Sequence, residues 1–300
     1  MKRNLLTTLV LCTIFFIGCS SSDSIEESTS QTIKKDTTST NIVDGRNITF
    51  TYEQLKLPGK KGACQKGLSK VDSLNAHWNY TWGSTYPTDQ ISTSEFIPMK
   101  WGGKTISNTF KETISSYIKA HLCKRILAVN EPDKSNQSNL TVEDVVNFWP
   151  ELEAFGVPLG SPAVVNAESG QWLKDFMSKV DELGLRVDYI CVHNYGGISA
   201  SAFEKKLTNI YNKYKRPILV TEFAVADWNA SSVEKNKYTP TQVLNFMKQV
   251  LPWMEKTDFV YGYAWFSFGI KDKHGTASAL FDSKGNLTEL GKYYSNFQGN

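Results

Sequence analysis

From about residue 59 to the C-terminus, short apolar runs alternate with stretches whose apolar residues recur at helical spacing. Runs such as Ile126-Leu127-Ala128-Val129 and Pro217-Ile218-Leu219-Val220 are apolar on both faces. That is the pattern of parallel strands covered by other layers on each side. Strands are expected near 62–67, 75–78, 95–101, 125–130, 157–161, 187–193, 217–222 and 260–266. Between them, Phe203, Leu207, Ile210, Tyr211 and Tyr214 share one helical face. Thr141 with Asp144, and Thr239-Pro240 with Gln242, have the form of helix N-caps. Pro158, Pro217 and Pro252 are placed at or near element starts, where a missing N–H does least harm. Eight strands with intervening helices predict an α/β fold, a single (β/α)8 TIM barrel over residues 59–300.

Upstream the pattern changes twice. Lys2 and Arg3 precede an apolar stretch, 5–17, that is too short to span a bilayer and reads as a signal peptide over 1–18. Gly18-Cys19 resembles a bacterial lipobox, which makes Cys19 the lipidated residue; Phe16-Ile17 departs from the commoner pattern, and cleavage to a free secreted protein stays open. Residues 19–58 are expected to be a flexible polar tether, rich in Ser, Thr, Asp and Glu as far as Asn47. Asp23, Glu26 and Glu27 resemble surface-export signals and equally suit an ordinary linker. The expectation is a protein of the bacterial cell envelope, lipid-anchored at the outer membrane on its surface or periplasmic face. Its contact with the membrane would be through the lipid alone.

Composition narrows the function. With 33 Lys and Arg against 30 Asp and Glu, interspersed, the net charge of +3 leaves no footprint for nucleic acid. Cys64, Cys123 and Cys191 have neither zinc-site nor redox spacing, leaving three free thiols or one disulfide with a spare. His77, His121, His193 and His274 fall on unrelated elements, so no metal and no cofactor is expected. The domain is taken as a monomer.

The chemistry lies in two carboxylates. Glu131 would end the fourth strand and Glu222 the seventh, and barrel strands present their C-terminal ends at one mouth. Each could simply pair with a neighbouring cation. Together they are what a glycosidase needs, one acid for the leaving oxygen and one carboxylate to attack or to activate water. His193 either lines the mouth or is a satisfied core residue. Candidate sugar-stacking aromatics near strand ends are Trp78, Tyr80, Trp82, Trp101, Tyr195, Trp228 and Trp265. In Trp78-Asn79-Tyr80-Thr81-Trp82 the aromatics share one face if the segment is extended. Trp149, Trp172 and Trp253 fall in helical stretches and read as core.

Phe96-Ile97-Pro98-Met99-Lys100-Trp101-Gly102, Val129-Asn130-Glu131-Pro132-Asp133, Gly160-Ser161-Pro162-Ala163, Val192-His193-Asn194-Tyr195-Gly196 and Tyr263-Ala264-Trp265-Phe266 resemble glycoside hydrolase family 128. Asn130-Glu131-Pro132 and Thr221-Glu222-Phe223 resemble the acid/base and nucleophile segments of its clan of retaining barrel glycosidases. The resemblance implies retaining, endo-acting cleavage of β-1,3-glucan, with β-glucan as the partner and water as second substrate. It implies Glu131 as general acid/base with a raised pKa, and Glu222 as nucleophile. It further implies Asn130 on the sugar 2-hydroxyl and Tyr195 holding Glu222. Lys100 and Asn194 depart from the family pattern, and Asn194 bears on subsite shape. Alternatives are a surface glycan-binding lipoprotein with dispensable catalysis, a barrel glycosidase for another β-glucan linkage, and a transglycosylase.

Overall fold

The computed structural model describes residues 40–43, 46–86 and 93–299. The signal peptide, Cys19 and the first half of the tether lie outside the described residues. The described residues open with an antiparallel pair, β1 (Thr40–Val43) and β2 (Arg46–Thr49), and a short helix α1 (Tyr52–Leu55). There follow β3 (Lys61–Cys64), α2 (Leu68–Ser73), β4 (Trp78–Tyr80), β5 (Glu95–Phe96), α3 (Asn108–Lys119), α4 (Val142–Glu153) and α5 (Gln171–Leu183). The rest is β6 (Ile190–Gly196), α6 (Ala200–Tyr214), β7 (Ile218–Val225), α7 (Pro240–Lys256), β8 (Val260–Trp265) and α8 (Glu289–Asn296).

Six strands form one parallel sheet in the order β5-β4-β3-β8-β7-β6. Two short extended segments, 126–130 and 159–164, join its edges through parallel bridges: Met99 with Leu127, Ile126 with Leu159, and Gly160 with Tyr189. The Lys100 N–H donates to the Leu127 carbonyl at 2.9 Å, Gly160 to Ile126 at 3.0 Å and Ser161 to Tyr189 at 2.9 Å. The ring of eight strands thereby closes, as the (β/α)8 expectation requires.

Apolar side chains fill two layers. Ile126, Ala128, Ile190, Val192, Ile218, Val220, Val260 and Tyr263 pack outward against the helices. Cys64, Trp78, Tyr80, Met99, Leu127, Cys191, Leu219 and Ala264 fill the barrel interior. Trp78 fits because Gly62 and Gly262 lie beside it: a Cβ on Gly62 would come within 2.1 Å of the indole. Cys64, Cys123 and Cys191 are all buried free thiols.

Three expectations need correction. The second strand is Trp78–Tyr80 rather than 75–78, since Asn75 turns the chain at φ +50°. Pro252 lies inside α7, in its last turns. The tether stops well short of residue 58. Phe50 and Leu55 are buried in the barrel interior cluster, and Thr51 and Gln54 form a capping box that starts α1. So short a segment has no room to show a periodicity, which is why its packing was not visible in the sequence.

That N-terminal segment closes the barrel floor. Arg125 donates to the Leu55 and Lys56 carbonyls, to Tyr189 Oη and to Glu95, its Nε 2.6 Å from Glu95 Oε1. Lys60 Nζ donates to the carbonyls of Met254, Glu255 and Thr257, and Lys61 Nζ to those of Tyr294, Ser295 and Phe297. Two consecutive lysines thus satisfy the orphan carbonyls at the C-termini of α7 and α8, where a cation is electrostatically favoured. Among the described residues no helix is long and apolar enough to cross a membrane.

Candidate active site

Glu131 directly follows the 126–130 segment. Its N–H donates to the Ala163 carbonyl at 2.7 Å, and its φ is +39°, a left-handed conformation that costs energy in a non-glycine residue. The tight turn continues through Pro132, and the Lys134 N–H donates back to the Glu131 carbonyl. The turn aims the carboxylate across the mouth.

Glu222 is aimed by a bulge. Cys191 pairs with Leu219, but His193 pairs with Glu222, so β7 carries one residue more than β6 between these points. The same slip appears against β8, where Val220 pairs with Tyr263 and Phe223 with Trp265. Strict alternation from the inward Leu219 would turn Glu222 outward; the extra residue turns it in.

The two carboxylates have different company. Glu222 Oε1 accepts from Trp82 Nε1 at 2.7 Å and Tyr80 Oη at 2.9 Å, and its Oε2 accepts from Tyr195 Oη. Burial, followed by the charge of Glu222, pushes both phenols well above their usual pKa, so they remain donors. Glu131 Oε1 lies 3.0 Å from His193 Nδ1, and Lys134 Nζ is 3.5 Å from its Oε2. His193 Nε2 is 3.5 Å from Glu222 Oε1, so one imidazole stands between both acids.

The expected rise in the Glu131 pKa is overturned. Burial pushes it up, but the hydrogen bond to His193 and the charges of His193 and Lys134 together pull it below the ordinary value. His193 moves the other way. Burial lowers it, while the charge of Glu222 and the bond and charge of Glu131 raise it further.

A cleft of about 700 Å³ opens over these groups, lined by Asn130, Glu131, Glu222, Trp82, Trp101 and Tyr195 among the predicted residues. Two smaller troughs, of about 470 and 450 Å³, each share Trp82 with it. Asn130 is buried, with Nδ2 donating to Gln137 Oε1 at 3.2 Å and Oδ1 left without a hydrogen-bond partner.

Four predicted contacts are placed elsewhere. Trp78 fills the barrel interior, its Nε1 bonded to the Lys60 carbonyl. Trp265 faces the helices, packed on Phe223 with Nε1 on the Ser278 carbonyl. Tyr80 and His193 are below the cleft floor, 0 % and 1 % exposed, where they reach the carboxylates but not the cleft. The platform does not form because Trp82, at φ +58°, leaves the strand. Trp228, also named from the sequence, lines the cleft from the loop after β7, while cleft residues not singled out from the sequence include Lys66, Lys134, Gln137, Lys206 and Phe268. For all but Lys206, which lies within α6, a position in the loop after a barrel strand was the available signal. Trp101, Val165 and Trp228, three of the five exposed large apolar residues among the described residues, line this cleft, and such clustering marks a ligand surface. Among the described residues no group of His, Cys, Asp and Glu converges as a metal-ligand set.

The family model of the glycosyl hydrolase catalytic core matches residues 59–294. No curated protein sequence matches the chain. Among solved structures, a subgroup I endo-β-1,3-glucanase of glycoside hydrolase family 128 from Amycolatopsis mediterranei, in complex with laminarihexaose, is 30% identical. The match covers 80% of this chain and 98% of that one, with a TM-score of 0.66. A subgroup III curdlan-specific exo-β-1,3-glucanase from Blastomyces gilchristii is 25% identical over 79% and 98%, at 0.64. A subgroup VII oligosaccharide-binding protein from Trichoderma gamsii shares the fold, at 21% identity over 81% and 95% and a TM-score of 0.63. The fold, the extent of the family match and the 30% identity over nearly the whole of a solved relative lead to one conclusion: the chain belongs to the glycosyl hydrolase catalytic core family, within glycoside hydrolase family 128.

Proposed function

We propose that the protein hydrolyses β-1,3-glucan internally, with retention of configuration at the anomeric carbon. The observation that carries this is the pair of carboxylates, Glu131 and Glu222, facing one cleft from different strands and bridged by one imidazole. Glu222 is oriented by three fixed donors and suits the nucleophile, attacking the anomeric carbon as Glu131 gives a proton to the leaving oxygen. Water then enters, yields its proton to Glu131, and the bond to Glu222 breaks. Asn130, with its free Oδ1, suits a substrate hydroxyl donor, and Trp82, Trp101 and Trp228 offer flat faces to sugar rings. Water is the only other substrate and no cofactor takes part. Continuation of the cleft into two troughs supports endo action, because a chain end is not required to enter.

The test is product analysis on linear β-1,3-glucan with Glu222→Ala as control. A ladder of short oligosaccharides, absent from the control and bearing the β-anomer when first formed, supports the proposal. A single product size or initial α-anomer counts against endo action or retention respectively. A second reading is favoured by the oligosaccharide-binding relative from Trichoderma gamsii: a lipoprotein that holds glucan without cleaving it. Binding without products in either form would select it. We further propose lipid anchoring at Cys19; metabolic labelling with a fatty acid should mark the wild type and not Cys19→Ser.

A further inference from the structure

His193 is 1 % exposed, its Nδ1 is 3.0 Å from Glu131 Oε1, and its Nε2 faces Glu222 Oε1 at 3.5 Å with no hydrogen-bond partner of its own. A neutral imidazole carries one N–H and one lone pair. If both glutamates are ionised, whichever nitrogen is bare turns its lone pair onto a carboxylate oxygen, inside a site too buried for water to screen it. Two arrangements avoid this. In one, a doubly protonated ring stands between two carboxylates. In the other, Nε2–H points to Glu222 while Nδ1 accepts from a protonated Glu131. Both hold the same number of protons. They differ by the place of one proton along the 3.0 Å line between Nδ1 and Oε1.

We propose that His193 is the proton store of the general acid, keeping on Nδ1 the proton that Glu131 delivers to the leaving oxygen. This rests on the retaining-glycosidase reading above. His193 acts through Glu131 and is a positioning residue, since it does not reach the cleft. The step balances. As Glu222 attacks, its charge is consumed in the new C–O bond, the glycosidic bond breaks, and the leaving oxygen takes the proton from Glu131 Oε1. Glu131 takes the Nδ1 proton, leaving a neutral ring beside a neutral ester. In the second half the proton of water passes through Glu131 to Nδ1, the oxygen of water bonds to the anomeric carbon, and the Glu222 carboxylate returns.

The surroundings favour the doubly protonated ring at rest. Glu131 and Asp133 face it from the turn after the 126–130 segment, with Lys134 on the far oxygen of Glu131. From β7 comes Glu222, which carries the Tyr80, Trp82 and Tyr195 donors and has Cys64 nearby. On its own strand the neutral Tyr195 ring is 6.4 Å away, edge-on. Negative groups outnumber positive ones. The store also extends the pH range over which the acid is loaded, because an imidazole holds its proton to higher pH than a carboxyl does.

The experiment is kcat/KM against pH for wild type and His193→Gln, on a laminari-oligosaccharide and on an aryl glycoside with an activated leaving group. On the oligosaccharide the alkaline limb of the variant should fall by about one pH unit or more, since ordinary carboxyl and imidazole pKa values differ by about two. That is a loss of about tenfold or more near neutral pH, with acid-side activity retained and the aryl glycoside spared. An unmoved limb, or an equal loss at every pH on both substrates, overturns the proposal. If His193→Gln does not fold, nitrogen NMR of the wild-type ring decides. One histidine should stay doubly protonated above its ordinary range and titrate lower in Glu131→Gln; a ring already neutral in mild acid overturns the proposal. Failure of the functional reading is distinct, for it appears as a wild type inactive on β-glucan.

Discussion

The two ends of this barrel are built to opposite rules. At the N-terminal end Arg125 reaches four different residues through three nitrogens, and Lys60 and Lys61 each satisfy three helix-end carbonyls. At the C-terminal end Asn130 Oδ1 and His193 Nε2 lack hydrogen-bond partners, Glu131 sits at positive φ, and Trp101 and Trp228 are exposed. Buried polar atoms without partners and strained backbone each cost free energy, and they persist where a ligand or a reaction uses them. On the proposed function the floor carries stability and the mouth carries chemistry, so substitutions at the two ends should separate into two kinds of phenotype.

The largest effect should come from Glu222→Ala. Removing the proposed nucleophile should lower turnover of β-1,3-glucan by about 10⁴-fold or more, while oligosaccharide binding and the unfolding midpoint stay near wild type. Calorimetric titration and thermal unfolding check the two halves. Near-native turnover would remove Glu222 from the chemistry; a collapsed midpoint would erase the distinction between the ends.

Glu131→Gln should come next, and its effect should depend on the substrate. Loss of general-acid help should slow oligosaccharide cleavage by about 10²–10⁴-fold, with a much smaller effect on an activated aryl glycoside in the step that releases the aryl group. Equal losses on both would argue that Glu131 only shapes the site.

The floor should answer in stability instead. Arg125→Met leaves Glu95 buried without its partner, and breaking such a pair costs about 3–5 kcal/mol. Trp78→Ala empties the space that Gly62 and Gly262 provide, at a similar cost of about 3–5 kcal/mol. Both should lower the denaturant midpoint and leave kcat/KM of the folded fraction within about twofold, because neither side chain lines the cleft. A large kinetic effect with unchanged stability would put Trp78 back among the sugar contacts.

Much of this division was legible in the sequence, for definite reasons. Apolar runs ending in Asn130-Glu131 and Thr221-Glu222 are strong signals because a parallel strand buries both faces. The same property hid which aromatics reach sugar. With both faces buried, Trp78 and Trp265 look equally ready to line a cleft, yet one fills the barrel and the other packs on helices. The inward turn of Glu222 depends on an extra residue in β7, visible only in the pairing of three strands. The lowered pKa of Glu131 depends on a ring from a strand 62 residues away. Register and partner identity are relations between distant segments, and no local spacing encodes them.

The smallest predicted effect tests the mouth without touching its chemistry. Trp101 is 39 % exposed and lines the cleft, so its exposed face is available to a sugar ring. Trp101→Ala should remove a stacking contact worth about 0.5–1.5 kcal/mol. KM for a long laminari-oligosaccharide should rise several-fold, with kcat and the unfolding midpoint nearly unchanged. Shortening the oligosaccharide should shrink the difference between variant and wild type, because a shorter chain can bind without reaching that face. A difference that persists on the shortest cleaved substrate would place Trp101 beside the scissile bond. An unchanged KM on every substrate would remove Trp101 from the binding surface and narrow the functional mouth to the side of Trp82 and Trp228.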